Sequence, residues 1–236
     1  MSWTLITGGI KGLGKELALG FAKAGRPVAI HYRNDKKAAE LVSRQIREMG
    51  GKCLVFQGDF STMSGVEEFL AAYEKENLET SVLINNVGPY FAKSAGETMP
   101  ETLQWIFQTN FFAPFAAIQK LLPILKKTKG SVINLGYPEL ESLRARSTAS
   151  CYVMAKQSLY LLTKSLAKEY RRDHVRINMI SPGYLENSVD LPKSSDLPQG
   201  RPVHFSEIVD MALYLCSDKG FSITGQNITV SGGVGL

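Results

Sequence analysis

Short apolar runs and longer amphipathic stretches alternate along the whole chain. The runs at residues 3–7, 27–32, 52–57, 81–85, 131–135, 176–180 and 226–230 are apolar over most of their length, the pattern of strands covered on both faces. Between them, apolar positions recur about every 3.6 residues at 13–24, 36–49, 65–75, 101–125, 148–170 and 206–217, the spacing of helices that bury one side. Such an order predicts an α/β fold: a doubly wound, seven-stranded parallel sheet with helices on both faces. No repeat or low-complexity segment interrupts it, so residues 1–236 read as one domain, with a Ser-, Pro- and Asp-rich excursion from the sheet at about 186–202.

In sheets of this kind ligands bind beyond the carboxyl ends of the strands. Beyond the first comes Thr7-Gly8-Gly9-Ile10-Lys11-Gly12-Leu13-Gly14, a glycine turn that opens a helix. Glycine lets the backbone turn tightly and lets a diphosphate approach amide N–H groups at the positive end of the helix. Its spacing, three residues and then one, is not the one-then-two of the common dinucleotide fingerprint, and glycine in a tight turn needs no ligand. Beyond the second strand stands Tyr32-Arg33-Asn34, where a preference for NAD usually places a carboxylate on the ribose hydroxyls. A carboxylate about 4 Å from a 2′-phosphate would cost roughly 4 kcal/mol at an effective dielectric near 20. A guanidinium reverses that sign, and with Lys11 inside the glycine turn it predicts NADP(H); the plain alternative for Arg33 is a surface residue at a strand end. Asp59 follows the third strand, as an acceptor for an adenine amino group or as a cap for a helix from Ser61. Asn85-Asn86-Val87-Gly88 follows the fourth, either lining the cofactor or simply turning the chain.

Tyr152 and Lys156 stand four apart in a predicted helix and share a face. At about 5 Å and a dielectric near 20, ammonium and phenolate attract by near 3 kcal/mol, enough to bring a phenol from about ten toward about eight and within reach of general-acid work. The same spacing occurs at Tyr32/Lys36 and Tyr160/Lys164, but only Tyr152/Lys156 follows a buried strand and its loop at the start of a long helix.

Composition narrows the partners. The chain is 44% hydrophobic and 21% charged, which is globular rather than disordered. Its net charge of +5 is spread among acidic residues, which favours a solvated surface with a basic cofactor pocket over nucleic-acid binding. Cys53, Cys151 and Cys216 are scattered without a metal-ligand spacing, so neither a metal site nor a disulfide framework is expected, and a reduced, cytoplasmic compartment is. The apolar stretch at 111–118 is short and carries Pro114, so no membrane helix is expected, and with a strand predicted within three residues of the first no signal peptide is expected either.

TGGIKGLG, Asp59, NNVG, Asn110, YVMAK, RINMISPG and ITGQNITVSGG occur in the order and at the separations of the short-chain dehydrogenase/reductases, and the resemblance covers essentially the whole chain. It implies a Rossmann fold, a nicotinamide cofactor and hydride transfer at a carbonyl or imine carbon. By this resemblance Tyr152 is the proton donor, Lys156 holds the nicotinamide ribose, and Asn110 holds a water that links Lys156 to solvent. Gly8, Lys11, Gly12, Leu13, Gly14, Arg33, Asp59, Asn86 and Gly88 would line the cofactor, and Pro182, Gly183 and the backbone to Leu185 would meet the nicotinamide amide, with Asn187 where the family often has Thr. Apart from the resemblance, Asn110 is a polar residue in a helix and Pro182-Gly183 a turn.

The chain departs from the family where a substrate-orienting serine normally ends strand five: it reads Ile133-Asn134-Leu135-Gly136-Tyr137-Pro138. Tyr137 is the expected replacement, with Ser142, Ser147 and Glu139 as alternatives. Pteridine reductases, a branch of the family, place an acid near this point, an aromatic after the strand-four motif, as Tyr90 or Phe91 would be, and an end to strand two like His31-Tyr32-Arg33; they usually have arginine where Gly12 stands. The 3-oxoacyl carrier-protein reductases are the other close pattern, and Lys126, Lys127, Lys129, Arg171 and Arg172 would receive an acidic carrier or form a solvated helix end. The expected partners are therefore a small carbonyl or pteridine substrate and further copies of the chain, as homodimer or homotetramer. A cofactor-binding sensor that has lost its chemistry is the alternative that the missing serine raises.

Overall fold

The computed structural model describes residues 2–235, with strands β1 (Trp3–Ile6), β2 (Val28–Tyr32), β3 (Cys53–Gln57), β4 (Thr80–Asn85), β5 (Ser131–Leu135), β6 (Arg176–Pro182) and β7 (Asn227–Val230). They pair in the order β3-β2-β1-β4-β5-β6-β7, each neighbouring pair parallel. The helices are α1 (Gly12–Lys23), α2 (Lys36–Glu48), α3 (Met63–Lys75), α4 (Pro100–Phe107), α5 (Ala113–Thr128), α6 (Ser150–Tyr170) and α7 (Phe205–Cys216). The chain runs outward from β1 to β3, then crosses back to lay β4 on the other side of β1. That reversal opens a crevice at the carboxyl ends of β1 and β4, where such sheets bind ligands.

Successive strand residues point to opposite faces, and each face has its own core. Ile6, Ile30, Ile84, Ile133 and Ile180 pack with α1 and α7 through Leu17, Phe21, Ile208 and Ala212. Leu5, Ala29, Leu83, Val132 and Ile177 pack with α3 and α5 through Phe69, Ala117, Ile118 and Leu125. Each large side chain sealed in this way contributes about 1.5–3 kcal/mol.

The helix expected over 101–125 is divided. A π-helical turn, Gln108–Phe112, separates α4 from α5. Pro114 lacks the amide that a continuous α-helix would use there. Thr109 Oγ1 donates to Trp105 O at 2.8 Å, and Asn110 Nδ2 to Ile106 O at 3.1 Å, so side chains bind carbonyls inside the widened turn. Helix α3 begins two residues before the expected start, because Thr62 accepts from Gly65 N at 3.1 Å and caps it. Buried amides also cross the layers: Asn85 Nδ2 donates to Asn134 Oδ1 at 2.8 Å, and Asn134 Nδ2 to Thr163 Oγ1 at 2.9 Å.

Candidate active site

The turn after β1 is held from both sides. Gly8 and Gly12 have φ of +67° and +50°, a region that favours glycine. A Cβ on Gly14 would lie 2.1 Å from Gly8 O, so only glycine lets α1 start this close to the strand. From the β4 end, Asn86 Nδ2 donates to Thr7 O at 2.9 Å and Gly8 O at 3.2 Å, while Asn86 N and Val87 N donate to Thr7 Oγ1. Leu13 is buried in the core beneath, and Lys11, the N-cap residue of α1, makes no side-chain cap. The first amides of α1 are thus left without a side-chain acceptor, which suits an anionic ligand at a helix start.

Arg33 and Asp59 meet each other. Arg33 Nε lies 3.0 Å from Asp59 Oδ1, and Nη2 donates to Oδ2 at 3.2 Å; both groups are well exposed. Asp59 Oδ1 also accepts from Ser61 N at 2.9 Å, so the carboxylate shapes this turn while Thr62 caps the helix. Arg33, expected at a phosphate or as a plain surface residue, and Asp59, expected at an adenine or as a helix cap, form one ion pair at the ends of β2 and β3. At the far side of the crevice, Gly183 N donates to Val230 O at 2.9 Å, and a Cβ there would lie 2.8 Å from Ser231 Cα. Pro182 ends β6, Leu185 bridges to Val203, and Asn187 brings its Nδ2 within 2.7 Å of where a Cβ on Gly12 would stand.

Tyr152 and Lys156 lie one turn apart on α6, both buried. Lys156 Nζ donates to Leu135 O at 2.8 Å and sits 5.7 Å from the centroid of the Tyr152 ring. A Cβ on Gly88 would lie 2.6 Å from Lys156 Nζ and 2.7 Å from Asn110 Oδ1, so a bare backbone lets the amine and the amide converge. Asn110 Oδ1 is buried and has no hydrogen-bond partner among the described residues. The uncapped start of α1, the bare Gly88 and this unused acceptor fit a nicotinamide dinucleotide lying from the β1 turn to α6.

The protonation of this pair differs from the expectation. Burial pulls the Lys156 amine down to about 7. Burial, followed by the neighbouring phenols of Tyr137 and Tyr90, pushes Tyr152 up instead of down. An amine that is itself desolvated carries less positive charge near neutral pH, so it cannot offset what burial does to the phenol.

Where the family carries serines, Gly136 and Tyr137 stand. A Cβ on Gly136 would meet Ser181 Oγ at 2.4 Å and Met179 Sδ at 2.5 Å, which excludes a side chain there. Tyr137 lies edge-on to Tyr152 with centroids 5.8 Å apart. Of its alternatives, Glu139 pairs with Arg144 and Arg146, Ser142 Oγ donates to Glu139 O, and Ser147 is exposed. Tyr90 is likewise edge-on to Tyr152, with centroids 5.1 Å apart, and donates its hydroxyl to Asp190 Oδ2 at 3.0 Å, joining the β4 loop to the 186–202 excursion. Asp190 was not among the sequence candidates, and Tyr90 stood there only as an aromatic; a contact spanning 100 residues leaves no local pattern. Of the basic residues considered for a carrier, Lys126 is paired with Asp173 and lies over the Tyr170 ring.

A family model described as enoyl-(acyl carrier protein) reductase matches residues 8–235, from the glycine turn to the last described residue. The chain belongs to the short-chain dehydrogenase/reductase family. It is 29% identical to General stress protein 39 of Bacillus subtilis, over 97% of this chain and 82% of that one. It is equally 29% identical to a 3-oxoacyl-[acyl-carrier-protein] reductase of Staphylococcus epidermidis, over 98% and 97%. Among solved structures it resembles a Pseudomonas aeruginosa RhlG/NADP active-site complex, with TM-score 0.88 and 27% identity over 100% of this chain and 96% of that one. It also resembles the landomycin C-6 ketoreductase LanV with bound NADP and rabelomycin, with TM-score 0.88 and 25% identity over 98% and 95%. As a short-chain dehydrogenase/reductase, the protein is an NAD(P)-dependent oxidoreductase acting at CH–OH/C=O. No helix among the described residues is long and apolar enough to cross a membrane, and no group of His, Cys, Asp and Glu among them is placed to hold a metal.

Proposed function

We propose that the protein is an NADPH-dependent ketoreductase for a 3-oxoacyl-type or related ketone, with Tyr152 as proton donor. The observation that carries this reading is the buried phenol of Tyr152, kept protonated by its surroundings, one helical turn from the Lys156 amine that converges with Asn110 over Gly88. The cofactor, when bound, supplies the hydride. The turn 8–14 and Asn86 hold the diphosphate, Pro182, Gly183 and Leu185 the nicotinamide end, and Lys156 with Asn110 the ribose and the proton path. Tyr137 orients the substrate oxygen in place of serine, and Tyr152 gives it a proton. A phenol held above its ordinary pKa remains a donor at neutral pH, and an alkoxide is a far stronger base than a phenolate, so the arrangement favours reduction.

NADP(H) is favoured over NAD(H) because Arg33, not a carboxylate, ends the path of β2, with Lys11 in the facing turn. The RhlG and LanV structures carried NADP, in keeping with this choice. A second reading, reduction of a planar C=N heterocycle such as a dihydropteridine, draws on the Tyr90 and Tyr137 rings beside Tyr152. The buried, unpaired thiols Cys53, Cys151 and Cys216 agree with a reduced, cytoplasmic setting. Exposed Phe112, Met154 and Leu161 on the α5 and α6 side agree with a homodimer or homotetramer.

NADPH oxidation against simple ketones, β-ketoacyl thioesters and dihydropteridines tests the reading. Turnover on a ketone or ketoacyl substrate is expected. Turnover confined to the pteridines would replace it with the second reading, and NADPH binding without turnover on any of the panel would leave a cofactor-binding sensor.

A further inference from the structure

His31 lies on β2, buried beneath the glycine turn and remote from the Tyr152 chemistry. Its imidazole Nδ1 lies 3.1 Å from Gly8 N, and Nε2 lies 2.9 Å from Gly58 O. Gly8 N is a donor and Gly58 O an acceptor, so the ring carries its proton on Nε2 and accepts at Nδ1. The His31 carbonyl accepts from Gly9 N at 3.0 Å, so two consecutive amides of the turn end on this one residue. The ring is fixed by a stack on Phe60, with centroids 4.0 Å apart, and an edge contact with Phe69 at 5.0 Å.

From this arrangement we propose that His31 is a positioning residue for the dinucleotide: its neutral imidazole turns the Gly8 amide inward and so sets the glycine turn in the shape that receives the diphosphate. The inference rests on the proposed placement of the cofactor at residues 8–14. Imidazolium would present N–H to N–H at Gly8 and lose the bond. Burial holds His31 down to about 4, against which the Gly58 carbonyl and the Asp59 charge act, so the ring is neutral under ordinary conditions. Asp59, paired with Arg33, is the charged residue that bears on it, and the other neighbours are the Phe60 and Phe69 rings and the backbone of Gly8 and Gly58.

Three variants separate the parts of the ring. His31→Asn keeps an acceptor where Nδ1 stands, His31→Gln keeps a donor where Nε2 stands, and His31→Phe keeps only the stack. NADPH affinity, read by the fluorescence of the reduced nicotinamide, is expected to fall about tenfold in the Gln and Phe variants and to stay within about threefold in the Asn variant, the cost of one unsatisfied buried donor. The Gly8 amide is expected to exchange faster in the Gln and Phe variants without any cofactor, with melting temperature recorded alongside. Affinities that simply follow melting temperature, with Asn and Gln alike, would overturn the proposal in favour of a structural role. Unchanged Gly8 exchange in the Phe variant would overturn it too. A wild-type protein that binds neither NADPH nor NADH would remove the cofactor placement and this proposal with it, and is told apart because Gly8 exchange would still answer to His31.

Discussion

Two buried titratable groups one helical turn apart dominate the site at the scale of single residues, and they make different demands. In the proposed reaction Tyr152 must keep a proton until the substrate oxygen takes it. Tyr152→Phe is expected to lower kcat about 10³-fold while NADPH affinity stays within about threefold, checked by steady-state kinetics and fluorescence titration. Lys156 is held at about 7, below the 10.5 of the free side chain, so between these values the unfolded chain binds a proton that the native one does not. Stability from this group therefore rises with pH across that window and is lowest below pH 7. Lys156→Met is expected to be inactive yet more stable near neutral pH by at least about 1 kcal/mol, a margin that shrinks by pH 9 to 10 in urea denaturation. A Lys156→Met protein less stable at neutral pH than wild type would mean that the bond to Leu135 O outweighs the buried amine.

At the level of elements, the strands and most helices could be read from sequence because their periods come directly from burial: Ile6, Ile30 and Ile84 are apolar since each lies under a helix. The break at Gln108–Phe112 could not be read in this way. Its apolar positions continue the helical period, and only Pro114 and the side-chain bonds of Thr109 and Asn110 decide that the turn widens. Tyr152 and Lys156 were legible as a pair because four residues on a helix fix a common face. The rise of the Tyr152 phenol was not, since it comes first from burial in the fold and then from Tyr137 and Tyr90, which arrive from loops after two other strands. The glycine turn permits a sharper test. Gly14→Ala drives a methyl group into Gly8 O, a backbone atom that cannot swing aside. Overpacking of about 1–3 kcal/mol, placed on the turn itself, predicts NADPH binding weakened about 10- to 100-fold in a protein whose circular dichroism is unchanged.

For the whole molecule, cofactor choice is a question of charge at the rim where β2 and β3 end. Arg33 is more than half exposed and shares its charge with Asp59, so screening limits what the pair is worth by itself. A second carboxylate there would face both Asp59 and a 2′-phosphate. Arg33→Glu is expected to raise the NADPH dissociation constant at least about tenfold and that of NADH less than about threefold, seen as loss of the extra thermal stabilisation that NADPH gives. Equal loss for both cofactors would show that Arg33 supports the turn rather than the phosphate. Because every strand is parallel, the proposed binding and chemistry gather along one rim, and the other rim is made of plain reversals. Gly25 and Gly50, with φ of +79° and open space around them, lie on that far rim, before β2 and β3. A fluorescent reporter or a surface tether spliced in at either turn would stand roughly a strand's length from the Tyr152 pocket, giving this oxidoreductase a handle for immobilisation that leaves its proposed reacting edge facing the solution.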